Sequence, residues 1–351
     1  MKGLEVDIRR KLKNFTLDIQ MNVEGGTLGI LGASGCGKSM TLKMIAGITD
    51  PDSGRISYND HTFYDSSRKH SLSVQKRRVG YLFQSYALFP NMTVYQNIEA
   101  GFRGKKSIRR ERTEELLKKF QLLNLKGQYP ACLSGGQQQR TALARIINSE
   151  PELLFLDEPF SAMDSFLKEE LQIELAKFLR EYRHLTVIVS HNRDEIYKLC
   201  DHTMVMEDGK NIICRETKKL FEQPQYFQAA RLTGCKNLSH AVKKGPHLVE
   251  ASDFGVLLKT EEKVPDDIQY VGVRAHDFIP VSGNEGAENV FPVTVVETTE
   301  APFEWILLFE HRNEKSSPMW MKMPRNIGDR LSERQIPQYI SVSPDKILLL
   351  R

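Results

Sequence analysis

The chain has 351 residues, 40% hydrophobic and 27% charged, which excludes a disordered chain and a membrane-embedded one. Lys and Arg number 49 against 45 Asp and Glu, and the net charge of +4 is too small to point to nucleic acid. Five scattered cysteines with no C-x-x-C pair argue against a disulfide framework or a zinc site and for a reducing cytosol. The length predicts about two domains. The opening MKGLEVDIRRKLKNF carries basic residues but no apolar core, so no secretory leader is expected. Nowhere do eighteen apolar residues run together, so no helix is expected to cross a bilayer. Any membrane role must be shared with another chain.

Up to about residue 235, short apolar runs alternate with helical patterns, as in a parallel α/β sheet. Three of these runs, residues 28–31, 153–156 and 187–189, read as buried strands that end in polar residues. Ligands of open α/β sheets bind beyond the carboxyl ends of strands. The stretches that follow them, GASGCGKS, DEP and SH, are therefore predicted to meet at one edge.

The first of these, Gly32-Ala33-Ser34-Gly35-Cys36-Gly37-Lys38-Ser39, matches G-x-x-x-x-G-K-[ST] between a strand and the helical pattern MTLKMIAGI. Glycines allow a tight turn whose N–H groups face phosphates, and the helix N-terminus adds positive partial charge. Lys38 is expected to reach the β and γ phosphates and Ser39 to ligate Mg²⁺. Further along, Leu133-Ser134-Gly135-Gly136-Gln137 opens the helical segment QQQRTALARIINS and offers a second anion site. The strand at 153–156 ends in Asp157 and Glu158. Asp157 is placed for the metal, and Glu158 for polarising a water.

The LSGGQ run resembles the signature of ATP-binding cassette (ABC) ATPases, and the resemblance covers about residues 3–235. It implies an α/β P-loop NTPase fold, a parallel sheet with a helical subdomain. Gln84, in YLFQSYALFP, resembles the glutamine that touches metal and water. Ser161-Ala-Met-Asp164 resembles the D-loop, and His191 the switch histidine that contacts the γ-phosphate. In the family two cassettes pair head-to-tail, so Ser134, Gly135 and Gly136 of one copy would close over nucleotide held by the other. Two departures stand out. Met40 replaces the usual threonine, leaving only its backbone N–H for the α-phosphate. The aromatic that stacks on adenine is either Phe15 or, as a guanidinium substitute, Arg9.

Residues 88–98, LFPNMTVYQNI, resemble import cassettes that engage transmembrane permease subunits. An extracellular binding protein for the solute would act indirectly. From 236 to 351 the texture turns to alternating apolar segments, as expected of a small all-β domain, OB-like and similar to TOBE or Mop modules. YVGVRAHDF (270–278) looks like a segment of sulfate and molybdate import ATPases. The tail from about residue 287 resembles a molybdate-binding-like module whose opening here reads Gly286-Ala287-Glu288-Asn289. Glu288 stands where an arginine is expected, so dimerisation and spacing are favoured over oxyanion binding.

These features together lead to the expectation of an ATP-hydrolysing importer subunit, peripheral on the cytoplasmic membrane face, for an oxyanion. Molybdate is favoured, with sulfate or tungstate possible. The alternatives are an importer ATPase for another small solute or a soluble ABC ATPase uncoupled from transport. Residues 85–133 are too few for the coiled coil that repair and condensation proteins insert there.

Overall fold

The structure is a computed structural model that describes residues 3–161, 165–182, 184–283, 288–314, 316–325 and 337–351. The chain divides into two compact units, Met1–Lys218 and Lys219–Arg351.

In the first unit, β1 (Leu4–Lys11) and β2 (Thr16–Val23) pair antiparallel, with Leu4, Val6 and Ile8 turned inward. The wholly buried β3 (Thr27–Gly32) leads into α1 (Lys38–Ala46). Next come β4 (Ser53–Tyr58), β5 (His61–Asp65), β6 (His70–Ser71) and β7 (Val79–Leu82). Three helices follow, α2 (Val94–Ala100), α3 (Lys106–Lys119) and α4 (Gly135–Ile147). The chain then alternates through β8 (Leu153–Asp157), α5 (Ser165–Glu181), β9 (Leu185–Ser190) and α6 (Arg193–Leu199). The hairpin β10 (His202–Glu207) and β11 (Lys210–Glu216) closes it.

These strands form one 11-stranded sheet, β6-β5-β4-β1-β2-β11-β10-β3-β9-β8-β7. Its β10-β3-β9-β8-β7 side is parallel, as expected. The β6-β5-β4-β1-β2 side is antiparallel, so the sheet is mixed and not parallel throughout. The reason is visible in the residues: β1 alternates apolar and polar side chains, the pattern of a strand with one wet face, whereas β3, β8 and β9 are buried on both faces. One core cluster spans both sides, with Leu4, Ile19, Ile30, Phe155 and Val187 among its members.

The second unit takes in α7 (Thr217–Glu222), most of which lies past the division, and α8 (Phe227–Leu232). Its strands are β12 (Asn237–Gly245), β13 (Leu248–Ala251), β14 (Val256–Lys259), β15 (Tyr270–Val273) and β16 (Phe278–Val281). They continue with β17 (Val290–Glu300), β18 (Glu304–His311), β19 (Met319–Pro324), β20 (Tyr339–Val342) and β21 (Leu348–Leu350). Two five-stranded sheets result, β14-β13-β12-β15-β21 and β16-β20-β17-β18-β19, and they share one core around Val271, Phe278, Phe309 and Ile340. The buried amide of Asn237 links the sheets by donating to Val273 O (3.0 Å) and Trp320 O (2.8 Å) while accepting from Trp320 N (2.6 Å).

The division falls earlier than residue 235. Ala230 and Cys235 pack against Leu350, and the Phe227 N–H donates to Arg351 O at 2.9 Å, so α8 packs with the second unit.

Candidate active site

β3, β9 and β8 are consecutive in the sheet, with Leu31 opposite Ser190 and Asp157 opposite Val189. The three polar stretches after them therefore share one edge. In the loop after β3, Gly35 (φ 83°) and Gly37 (φ 108°) hold the left-handed backbone that glycine tolerates best. A Cβ at Gly37 would also lie 2.8 Å from Leu17 Cδ1, so any side chain there would force that leucine to shift. Lys38, buried, donates its ammonium to Gly32 O (2.9 Å) and Ala33 O (2.8 Å), which curls the loop around its own lysine. Burial pushes the Cys36 thiol above its ordinary range, with Lys38 opposing, so this cysteine is an inert part of the loop. Ala33 and Ser34 lie in the turn ahead of α1. Met40 packs its side chain against the cassette core.

Asp157 joins the loop to the sheet. Its Oδ1 accepts from Ser39 Oγ at 2.6 Å and its Oδ2 from the Tyr81 hydroxyl at 2.8 Å. Burial first, and the Asp157 charge second, raise the Tyr81 phenol far above its ordinary value, so it keeps the proton it donates to Asp157. Glu158 follows in left-handed backbone (φ 47°), and its N–H donates to Val189 O at 2.9 Å. Its Oε1 lies 3.2 Å from His191 Nδ1. Gln84 donates to Ser161 Oγ at 3.4 Å, the long end of the range, and Ser161 Oγ donates to Glu158 O at 3.1 Å.

The hard oxygens of Ser39 and Asp157 are of the kind Mg²⁺ takes, and the glycine-lined turn is the cradle a phosphate chain takes. The residues fit both. Phe15 lies at the loop, 3.5 Å from where a Gly37 Cβ would be, whereas Arg9 is ion-paired with Asp18 at 2.5 Å. Asp164 lies outside the described residues.

Ser134 caps α4 with a capping box: its hydroxyl accepts from Gln137 N (3.4 Å), and its own N–H donates to the Gln137 side chain (3.0 Å). Gly135 and Gly136 form the first turn of the helix. Among the described residues no hydrogen bond joins them to the loop after β3. Further along α4, Arg145 donates to Ala87 O (2.7 Å) and Tyr86 O (3.1 Å) and lies 5.1 Å over the Phe89 ring. It clasps the segment that follows Gln84.

The sequence reading did not single out Tyr81, Arg145 or Glu195. Glu195, 3% exposed, accepts from Ser190 Oγ (2.6 Å) and pairs with Lys168 Nζ (2.5 Å), bracing the turn that carries His191. An acid in the first turn of α6, four residues past His191, was the available signal.

In the second unit, Glu288 is ion-paired with Lys259 at 3.6 Å. The Arg274 guanidinium donates to the carbonyls of Phe221 and Thr233, the latter at 3.0 Å, so it braces α7 and α8. Gly286 and Ala287 lie outside the described residues.

A sequence profile described as ABC transporter matches residues 12–161. The sulfate/thiosulfate import ATP-binding protein CysA of Gloeobacter violaceus is 33% identical over 337 residues, which is 94% of this chain and 90% of that protein. The Fe(3+) ions import ATP-binding protein FbpC of Haemophilus influenzae is 36% identical, covering 62% of each chain. The spermidine/putrescine import ATP-binding protein PotA of Aliivibrio fischeri is 38% identical, covering 65% of this chain and 60% of its own. Among solved structures, cbiO1 of Clostridium perfringens, part of the ABC transporter complex cbiONQ, superposes with a TM-score of 0.55. It is 28% identical, and the match covers 63% of this chain and 91% of that one. The ATP-binding cassette MJ0796, dimeric in a post-hydrolysis state with ADP and Pi, gives a TM-score of 0.52 at 27% identity, over 62% and 99% of the chains.

Proposed function

The chain belongs to the ABC transporter family as an ATP-binding subunit, an ATPase of importer type, and on that premise we propose that it powers uptake of a tetrahedral oxyanion. One observation carries the hydrolytic reading: Asp157 and Glu158, at the end of β8, sit 2.6 Å from Ser39 and 3.2 Å from His191. A phosphate cradle, a metal carboxylate and a base are thus held on one edge.

In this reading Lys38 and the backbone N–H groups of residues 33–40 bind the phosphates, and Phe15 supports the adenine. Ser39, Asp157 and Gln84 would hold Mg²⁺, which supplies charge neutralisation on the phosphate oxygens. Glu158 takes a proton from water as that water bonds to the γ-phosphorus, and ADP departs with the electrons of the broken P–O bond. His191, oriented through Nδ1 by Glu158, presents its other ring nitrogen to the γ-phosphate. Ser134, exposed, Gly135, half-buried, and Gly136, buried, open α4 and act on nucleotide held by a second copy, together with Asp164 of the D-loop. The working assembly is two copies on transmembrane permease subunits. No helix among the described residues is long and apolar enough to cross a membrane. The protein would sit on the cytoplasmic face, fed through the permease by an extracellular binding protein.

Oxyanion cargo rests on extent of likeness. The Gloeobacter sulfate/thiosulfate relative aligns over 94% of this chain, including the second unit, whereas the iron and polyamine relatives align over about two-thirds of it or less. Sulfate or thiosulfate is therefore placed ahead of molybdate and tungstate, the ions of the same shape and charge. Labelled sulfate and molybdate uptake in cells with and without the gene tests this. Loss of sulfate uptake alone supports the order, and unchanged uptake of every tetrahedral oxyanion overturns the cargo class.

A further inference from the structure

Asp157 is 6% exposed and carries a hydrogen bond on each oxygen. The partner on Oδ1, Ser39 Oγ, is itself in the donor set for metal. The partner on Oδ2, Tyr81, is not. Tyr81 belongs to β7, where it lies opposite Phe155 of β8, and its ring is fixed by Phe83 (centroids 4.4 Å apart) and by Phe155, edge-on at 6.3 Å. The terminal torsion of a carboxylate is broad, so one hydrogen bond leaves its plane free to swing. Bonds to opposite oxygens from two different elements fix it.

From this geometry we infer that Tyr81 is a positioning residue for the metal site, holding Asp157 Oδ2 so that Oδ1 and Ser39 Oγ stay aimed at one point. The inference rests on reading Asp157 as the metal carboxylate. Outer partners of metal-binding carboxylates typically govern metal affinity by 10–100-fold. Phe83 directly follows the last residue of β7 and precedes Gln84, so the residue whose hydroxyl steadies Asp157 also packs its ring on the start of the glutamine segment.

The test uses the full chain with Tyr81→Phe, which keeps the ring and its packing. Binding of a fluorescent ATP analogue is titrated with Mg²⁺, and Mn²⁺ uptake with a non-hydrolysable ATP analogue is read by electron paramagnetic resonance. The half-saturating Mg²⁺ concentration is expected to rise about tenfold, with metal-free nucleotide affinity and Tm unchanged. An unaltered Mg²⁺ titration overturns the inference, as does a lowered Tm with that titration unaltered, the mark of a hydroxyl that only fills the fold. Asp157→Asn runs alongside. If it loses metal dependence while Tyr81→Phe does not, the inference alone falls. If neither variant responds, the reading of Asp157 falls with it.

Discussion

Glu158 and His191 meet across the carboxyl ends of two adjacent strands, carboxylate Oε1 3.2 Å from imidazole Nδ1. Neither reaches the other by sequence proximity; the parallel pairing of β8 with β9 brings them together. Glu158→Gln keeps the size of the side chain and removes the base. Phosphate release is expected to fall about 10²–10⁴-fold while ATP still binds and holds two copies together on size exclusion with Mg²⁺. Lys38→Ala instead weakens nucleotide binding itself. Turnover near wild type in Glu158→Gln, with no ATP-held dimer, would refute the assignment.

Arg145 fastens α4 to the segment after Gln84 through two carbonyls and the Phe89 ring. Tyr86 and Ala87, whose carbonyls it takes, are both in left-handed backbone (φ 58° and 46°), so the segment needs the clasp to stay there. Arg145→Ala is expected to cost about 2–3 kcal/mol in urea unfolding of the first unit. It should also make the 83–90 segment cleavable by protease in the native protein. Unchanged cleavage would count against the clasp.

Arg77 is 1% exposed and donates to Met44 O (2.9 Å), Ile45 O (2.8 Å) and Leu72 O (2.8 Å). The first two are last-turn carbonyls of α1, the helix whose other end carries the phosphate loop, and a cation there suits the helix dipole. Arg77→Met should lower unfolding free energy by about 3 kcal/mol, because three carbonyls each lose a hydrogen bond from a buried cation. A urea midpoint within error of wild type would show that water replaces the guanidinium.

Cys235 has its thiol 3.4 Å from Asn237 O and Val273 O, and burial, opposed by Arg274, pushes it from 9.0 up to about 11. A raised thiol keeps its proton in the folded chain when the unfolded chain has lost its own. Stability is thus full below about pH 9 and is lost as pH climbs toward about 11, by on the order of 2–3 kcal/mol. The chain has two tryptophans, Trp305 and Trp320, both in the second unit, so fluorescence unfolding follows that unit directly. Cys235→Ala should remove this part of the alkaline decline, and an identical decline in both proteins would assign it elsewhere.

The runs at 28–31, 153–156 and 187–189 were legible because strands buried on both faces are apolar without interruption. The loop before Lys38 and the cap at Ser134 were legible because each demands particular residues at fixed spacing. β1 was harder to read: Leu4, Val6 and Ile8 alternate with Glu5, Asp7 and Arg9, and short alternation in a basic opening carries little weight alone. Tyr81 was invisible for another reason. A phenol on β7 bonded to a carboxylate on β8 is a fact about strand order, which one sequence does not display. Arg274 lies in the YVGVRAHDF run, but its acceptors are backbone carbonyls, and no motif records those.

β3, β8 and β9 are buried from end to end inside the large sheet, and all three lead directly into the groups proposed to handle nucleotide. Amides in such strands exchange with deuterium only through opening of the whole unit, whereas frayed ends and surface helices exchange by local excursions. The reactive edge is therefore mounted on the slowest-exchanging part of the cassette. On warming, its geometry persists until the unit unfolds and then vanishes with it. Residual hydrolysis should track the folded fraction, with no loosened, half-active ensemble in between.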